Sequence, residues 1–208
     1  MANQDLASLL SNDNHNLLKN AFFNAIFDLN EQNHFCNIFE EDSLIDNFSN
    51  SNSFLALGMN VQSLNSKFTH LTNFIDNLSL QNTKVSFFSL QEIWKIDPDR
   101  FNIDGYNFYC KTRAAVSSRG GVGLYIDSSY KSELLSIKND FIENIFESLT
   151  CKVTIGNSKL LVASIYRPNT HTILKQSEQN EKFLTYFNEY LHCKSKILDP
   201  NTSPTIFC

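Results

Sequence analysis

The chain has 208 residues, and 42% of them are hydrophobic, including 18 phenylalanines, which supplies a sizeable core and excludes global disorder. Its net charge of −5 at pH 7 argues against a surface that binds polyanions generally, although a bound divalent cation changes the local field. The five cysteines are odd in number and include no Cys-x-x-Cys pair, which argues against a disulfide framework or a zinc site and indicates a reducing compartment.

Residues 1–53 predict an N-terminal helical extension that ends in a polar linker. The positions that share one face of this helix are Leu18, Phe22, Ala25 and Leu29. Residues 47–53, Asn-Phe-Ser-Asn-Ser-Asn-Ser, are small, polar and turn-prone. We therefore place the domain boundary after residue 53, with the second domain at 54–208.

A strand, a helix and a second strand open this second domain. Residues 54–61 predict a strand, and 85–90 form the nearly all-apolar run of a strand covered on both faces. The helix between them is predicted to begin with Asn65 or Ser66 as its N-cap. Its apolar positions are Phe68, Leu71, Ile75 and Leu78. This order indicates an α/β fold.

The second half of the domain is rich in predicted strands. Residues 149–155 alternate between apolar and polar side chains, and Gly156-Asn157 is a two-residue hairpin signal. The predicted elements are strands at 106–111, 122–126, 149–155 and 160–165, and a helix at 177–193. The apolar stripe of this helix is Phe183, Phe187, Tyr190 and Leu191.

Three polar residues follow the ends of predicted strands. Asn60 opens Asn-Val-Gln-Ser-Leu-Asn, Glu92 ends Leu-Gln-Glu, and Tyr166 opens Tyr-Arg-Pro-Asn. Folds that bury their sheets keep their chemistry at such strand ends. A carboxylate with an amide suits a hard cation such as Mg²⁺, and a phenol donates to a phosphate oxygen. The alternatives are a solvated Glu92, a turn-forming Asn60 and a packed Tyr166.

In this order the three clusters resemble the endonuclease/exonuclease/phosphatase superfamily, whose fold is like that of deoxyribonuclease I. The likeness is greatest to the endonuclease domain of non-LTR (LINE-type) retrotransposons, and Gly120-Gly121-Val122 is similar to that family's Gly-Gly-Val strand. The resemblance covers roughly residues 54–193. It implies two packed β-sheets flanked by helices, a deoxyribonuclease I-like sandwich.

The resemblance also implies an activity, a cofactor and a partner. By position in the motifs, Asn60, Glu92 and Tyr166 are the expected catalytic residues, and Glu92 with Asn60 the expected Mg²⁺ ligands. Arg167 and Asn169 are expected to contact the substrate. The implied function is Mg²⁺-dependent hydrolysis of a DNA phosphodiester, with weak DNA binding and no stable protein partner.

Two family motifs have no clear counterpart. Asp199 and Asn201 keep the spacing of a Gly-Asp-x-Asn motif, but the glycine is absent and Pro200 cannot donate to a sheet. No histidine stands in the family's Ser-Asp-His ending. We therefore expect a domain that is incomplete at its C-terminus and inactive or weak. The alternatives are a non-catalytic remnant or interaction module, and a superfamily phosphatase that acts on a non-DNA phosphoester.

Other features carry weaker implications. Arg113, Arg119 and Gly120-Gly121 suggest a phosphate cradle, but no helix follows them, so a loop that leads into a strand is the better interpretation. Glu147 is interpreted as the start of a strand. The N-terminus lacks a secretory signal, and no apolar run is long enough to span a bilayer. The sequence thus predicts an intracellular protein, nuclear or cytoplasmic, with no membrane contact.

Overall fold

The computed structural model describes residues 55–114, 119–136, 140–168 and 176–197. Its elements are β1 (Ala56–Asn60), α1 (Leu64–Leu80), β2 (Phe87–Gln91), a 3₁₀ turn (Pro98–Arg100), β3 (Tyr106–Lys111), β4 (Val122–Asp127), β5 (Lys131–Leu135), β6 (Phe141–Ile142), β7 (Phe146–Ile155), β8 (Ser158–Tyr166) and α2 (Gln176–Ile197). The predicted extension at 1–53, Asn169, and the pair Asp199 and Asn201 lie outside the described residues.

The first sheet has the strand order β1-β2-β4-β3. Strands β1 and β2 are parallel, with Asn60 opposite Gln91, whereas β4 runs antiparallel to both β2 and β3. Because β1 and β2 run in the same direction, their C-terminal ends reach the same edge of the sheet. Asn60 and the residue that follows Gln91 are therefore neighbours.

The second sheet is built around β7. The hairpin predicted at Gly156-Asn157 is confirmed, since Ile155 pairs with Ser158 and β8 then follows β7 along its whole length to Tyr166. The other edge of β7 pairs with β5 and β6. These two short strands were not predicted, because β5 is largely exposed and β6 has only two residues.

The two sheets pack face to face, as the predicted fold class requires. The buried side chains between them are Phe87, Val122, Leu124 and Ile126 from the first sheet and Leu149, Cys151, Val153 and Val162 from the second. Polar contacts also cross this core, where Ser89 Oγ donates to Ser164 Oγ at 2.9 Å. Ser164 Oγ in turn donates to the Leu90 carbonyl at 3.1 Å, so neither hydroxyl is left unpaired in the core.

Helix α1 begins two or three residues earlier than predicted. Its N-cap is Ser63, with φ of +94°, so the expected caps at Asn65 or Ser66 are wrong. Ser63 N donates to the Glu92 carbonyl at 2.8 Å, which fixes the chain at the helix start. Ser66 instead lies in the first turn and its hydroxyl donates to the Ser63 carbonyl. Three of the four predicted apolar positions are buried, namely Leu71, Ile75 and Leu78.

Helix α2 covers the second sheet with the predicted aromatic stripe. Tyr190 is buried against Phe146, Ala163 and Ile165. Its hydroxyl lies 2.6 Å from Thr150 Oγ1 on β7. The helix runs from Gln176 to Ile197, somewhat longer than predicted. Of the helices in the described ranges, none combines the length and the apolar character needed to cross a membrane.

Candidate active site

The three residues singled out at strand ends meet at one rim of the sandwich. Asn60 ends β1, Glu92 follows β2, and Tyr166 ends β8 of the second sheet. Asn60 Nδ2 donates to Glu92 Oε1 at 2.9 Å, and the Tyr166 hydroxyl donates to the same oxygen at 2.8 Å. Both bonds end on Oε1, so neither donor occupies the second carboxylate oxygen, Oε2.

The backbone around Glu92 is held in an uncommon conformation. Glu92 and Trp94 have φ of +54° and +61°, in the left-handed region that residues with a side chain rarely adopt. Such positions cost on the order of 1–3 kcal/mol each and persist where the surroundings hold them. Ser63 N donates to the Glu92 carbonyl and Trp94 N donates to the Gly120 carbonyl, both at 2.8 Å. These bonds stabilise a turn that presents Glu92 at the rim.

The hydrogen bonds keep Glu92 ionised. Burial acts to raise the pKa of the Glu92 carboxyl, but the donors Asn60 and Tyr166, the nearby Trp94 indole and the charge of Arg113 outweigh it, so the pKa lies below its ordinary value of 4.5. Trp94 Nε1 itself is buried and completes no hydrogen bond with a described residue. At neutral pH, Glu92 is therefore a carboxylate, as a metal ligand must be.

Tyr166 is held as a neutral donor. Burial raises the pKa of its hydroxyl, and the neighbouring Glu92 carboxylate raises it further because a second negative charge there is unfavourable. The hydroxyl therefore keeps its proton throughout the physiological range. Its one O–H donates to Glu92 Oε1, an anionic oxygen at the rim.

A buried ion pair lies beside these residues. Glu147, at the start of β7, is fully buried and stands opposite Tyr166 in the β7–β8 register. Arg113 Nε donates to Glu147 Oε1 at 2.6 Å, and Gly121 N donates to Oε2 at 2.6 Å. Arg113 Nη1 also donates to Asn144 Oδ1 at 2.7 Å. Burial raises the pKa of Glu147, while the Gly121 amide and Arg113 act in the opposite direction.

Gly120 makes room for this ion pair. A Cβ atom at Gly120 would lie 2.5 Å from the Arg113 guanidinium, and the residue has φ of +109°. Both the space and the conformation therefore require glycine. The sequence interpretation of Arg113 and Glu147 as loop and strand residues missed their pairing. The sequence did contain one sign of this pairing, which is a carboxylate in the largely apolar strand β7. A charge buried in such a strand needs a partner of opposite charge.

Of the two predicted substrate-binding residues, only Arg167 lies in the described ranges, and it contacts helix α2. Arg167 is exposed, and its Nη1 donates to Asn180 Oδ1 on α2 at 3.1 Å. Its guanidinium also lies 6.0 Å from the centre of the Phe183 ring. Arg167 thus lies against α2, and its described contacts do not include Glu92 or Asn60.

The oxygen atoms of Glu92 and Asn60 fit a hard cation. The described ranges contain no group of three or more His, Cys, Asp or Glu side chains that would hold a metal by themselves. Glu92 Oε2 and Asn60 Oδ1 offer two hard oxygen ligands, and among the described residues Asn60 Oδ1 accepts a long bond of 3.3 Å from Gln62 N. Mg²⁺ commonly takes one or two protein oxygens and completes its shell with water and phosphate.

Comparison with known proteins finds matches among solved structures. No protein-family model and no curated protein sequence matches the chain. D. rerio TDP2, humanized by 14 mutations, matches with 15% identity over 72% of this chain and 63% of that chain, at a TM-score of 0.48. NExo, a 3′ phosphatase from Neisseria bound to a product DNA hairpin, matches with 14% identity over 74% and 56%, at 0.49. The endonuclease domain of TRAS1, a telomere-specific non-LTR retrotransposon, matches with 9% identity over 74% and 58%, at 0.44.

These matches are similarities over part of each chain. All three TM-scores lie below 0.5 and all three identities are 15% or lower, so they carry no argument about the activity of this chain. It spans 63%, 56% and 58% of the three structures' own lengths. At such identities the chemistry has to be argued from the side chains of this chain.

Proposed function

We propose that this chain is a metal-dependent phosphodiester hydrolase that acts on DNA at the rim formed by Asn60, Glu92 and Tyr166. The observation that carries the proposal is the shared hydrogen bonding of Glu92 Oε1. Asn60 and Tyr166 both donate to that oxygen, which orients an ionised carboxylate and leaves Oε2 for a cation.

Each residue has a distinct role in this proposal. Glu92 Oε2 and Asn60 Oδ1 would hold Mg²⁺, which supplies charge stabilisation at the phosphate when bound. Asn60 Nδ2 keeps the carboxylate oriented. The neutral Tyr166 hydroxyl has one O–H, which donates to Glu92 Oε1 in this structure. When substrate binds, that O–H would turn from Glu92 to a non-bridging phosphate oxygen.

DNA is proposed as the substrate from the sequence resemblance. The motif Tyr166-Arg167-Pro168-Asn169 favours the retroelement branch of the superfamily. The net charge of −5 means that DNA binding depends on local cations and weakens steeply with salt. The assay therefore belongs at low ionic strength.

A plasmid-nicking assay tests the proposal. The purified chain is incubated with supercoiled plasmid and Mg²⁺, beside a reaction with EDTA. Glu92→Gln is the diagnostic variant, because it keeps the shape of the side chain and removes the charge. Glu181→Gln, the same change at an exposed position on α2, is the matched control.

We expect weak nicking that disappears with EDTA and with Glu92→Gln but persists in Glu181→Gln. Nicking that survives Glu92→Gln would overturn the proposed site. Metal binding without nicking would instead support the non-catalytic alternative, together with the expectation from sequence of an inactive or weak enzyme. Release of phosphate from a phosphomonoester, with no nicking, would favour the superfamily phosphatase.

A further inference from the structure

The Arg119 guanidinium lies over the Trp94 ring in a cation–π contact beside the candidate active site. The Arg119 guanidinium carbon lies 5.6 Å from the centre of the Trp94 indole ring. Trp94 is two residues beyond Glu92, and its amide donates to the carbonyl of Gly120, the residue that follows Arg119. The Arg119–Trp94 pair is therefore joined by backbone to the turn that carries the Glu92 carboxylate.

Arg113 and Arg119 both lie near Gly120, but they differ in exposure and in their partners. Arg113 is largely buried, and its donors are used by Glu147 and Asn144. Arg119 is exposed and forms no ion pair with any residue in the described part of the chain. Of these two arginines, only Arg119 therefore has a guanidinium that an anion in solvent can reach.

The cation–π contact restricts where this guanidinium lies without using its hydrogen-bond donors. The aromatic ring attracts the positive charge, and the five N–H donors of the guanidinium stay available to another group. Those donors match two oxygens of a phosphate in a bidentate arrangement. The left-handed backbone of Trp94, with φ of +61°, is held by the bond from its amide to the Gly120 carbonyl, which fixes the position of the residue that carries the indole.

We propose that Arg119, held on Trp94, binds a backbone phosphate of the DNA strand next to the phosphodiester at Glu92. This inference rests on the proposed function, because it assumes that a DNA strand lies across the rim. It assigns to the Arg119–Trp94 pair a substrate-positioning role. The buried Arg113 does not share this role, since Glu147 neutralises it.

Trp94 provides the measurement, because it is the only tryptophan of the chain. A short DNA duplex is titrated into the full chain in EDTA, so that no cleavage occurs, and tryptophan fluorescence is followed over a series of salt concentrations. Arg119→Gln is compared with Arg119→Lys and with Arg100→Gln. Arg100 is exposed on the 3₁₀ turn and gives the same change of charge away from the rim.

We expect saturable fluorescence changes in the wild type and roughly a 3- to 10-fold loss of affinity in Arg119→Gln. The slope of log affinity against log salt should become shallower by about 0.9, the value for one phosphate contact on duplex DNA. Arg119→Lys should keep the slope but not the full affinity, because an ammonium cannot bind bidentately. Arg100→Gln should change neither quantity.

Three outcomes would overturn the inference in distinguishable ways. If Arg119→Gln keeps the wild-type affinity and slope while the wild type still nicks plasmid, the phosphate contact is wrong and the proposed function stands. If the wild type neither binds duplex nor nicks plasmid, the proposed function fails and the inference falls with it. If inorganic phosphate alone changes the fluorescence at the same phosphate concentration as the duplex, the site binds free phosphate and not a DNA strand.

Discussion

Tyr166 and Glu92 belong to different sheets and are 74 positions apart in the sequence, yet the Tyr166 hydroxyl donates to Glu92 Oε1 at 2.8 Å. The site therefore exists only when the two sheets are packed. The buried bond from Ser89 to Ser164 connects the same two strands, β2 and β8, a few residues before each site residue. The geometry of the rim therefore depends on the packing of the two sheets.

Removal of the Tyr166 hydroxyl should impair chemistry more than folding. Tyr166→Phe keeps the ring and deletes one donor at the rim, so we expect nicking to fall on the order of 10²-fold, as for the loss of one preorganised donor. The free energy of unfolding should fall by only about 1 kcal/mol. Nicking rates and urea unfolding measure the two effects. Tyr186→Phe on α2 is the matched control, and an equal loss of nicking there would contradict the assignment.

The pKa of Glu92 should respond to its hydrogen-bond donors. In Asn60→Ala the carboxylate loses a donor to its charged form, so the pKa should rise toward its ordinary value. Because the folded-state pKa is depressed, the associated stability is present above the unfolded-state pKa and is lost as pH falls through the folded-state pKa. A ¹³C NMR titration of glutamate carboxyls measures the shift directly. An unchanged Glu92 titration in Asn60→Ala would show that this bond is not made in solution.

The sequence predicted the convergence of Asn60, Glu92 and Tyr166 because each stands at the end of a strand with a strong local pattern. The hairpin that delivers Tyr166 follows from period-two alternation and a Gly-Asn turn, which are local signals. The pairing of Arg113 with Glu147 was missed because it depends on which strands become neighbours. The N-cap was misplaced for a similar reason, since Ser63 is fixed by a bond to the distant Glu92 carbonyl.

The hydrogen bond between the sheets should stabilise the sandwich. In Ser164→Ala, the buried Ser89 hydroxyl loses its acceptor and the Leu90 carbonyl loses a donor. An unsatisfied buried group costs about 1–3 kcal/mol, so the free energy of unfolding should fall by that amount. Urea unfolding followed by circular dichroism measures it. Ser177→Ala, at an exposed position on α2, should have little effect, and equal losses in the two variants would count against the role given to Ser164.

The buried ion pair between Arg113 and Glu147 should be costly to break from either side. Glu147→Gln leaves the Arg113 charge without its partner, and Arg113→Met leaves the Glu147 charge, so we expect losses of about 3–5 kcal/mol in each. In Arg113→Met the pKa of Glu147 should rise further, because burial remains and the opposing positive charge is gone.

A carboxyl group whose folded-state pKa is raised destabilises the fold as the pH rises above the unfolded-state pKa of that group. The stability gap between Arg113→Met and the wild type should therefore be larger at about pH 8 than at about pH 5. The double variant should lose less than the sum of the two single losses, and strict additivity in urea unfolding would mean that the two side chains do not interact.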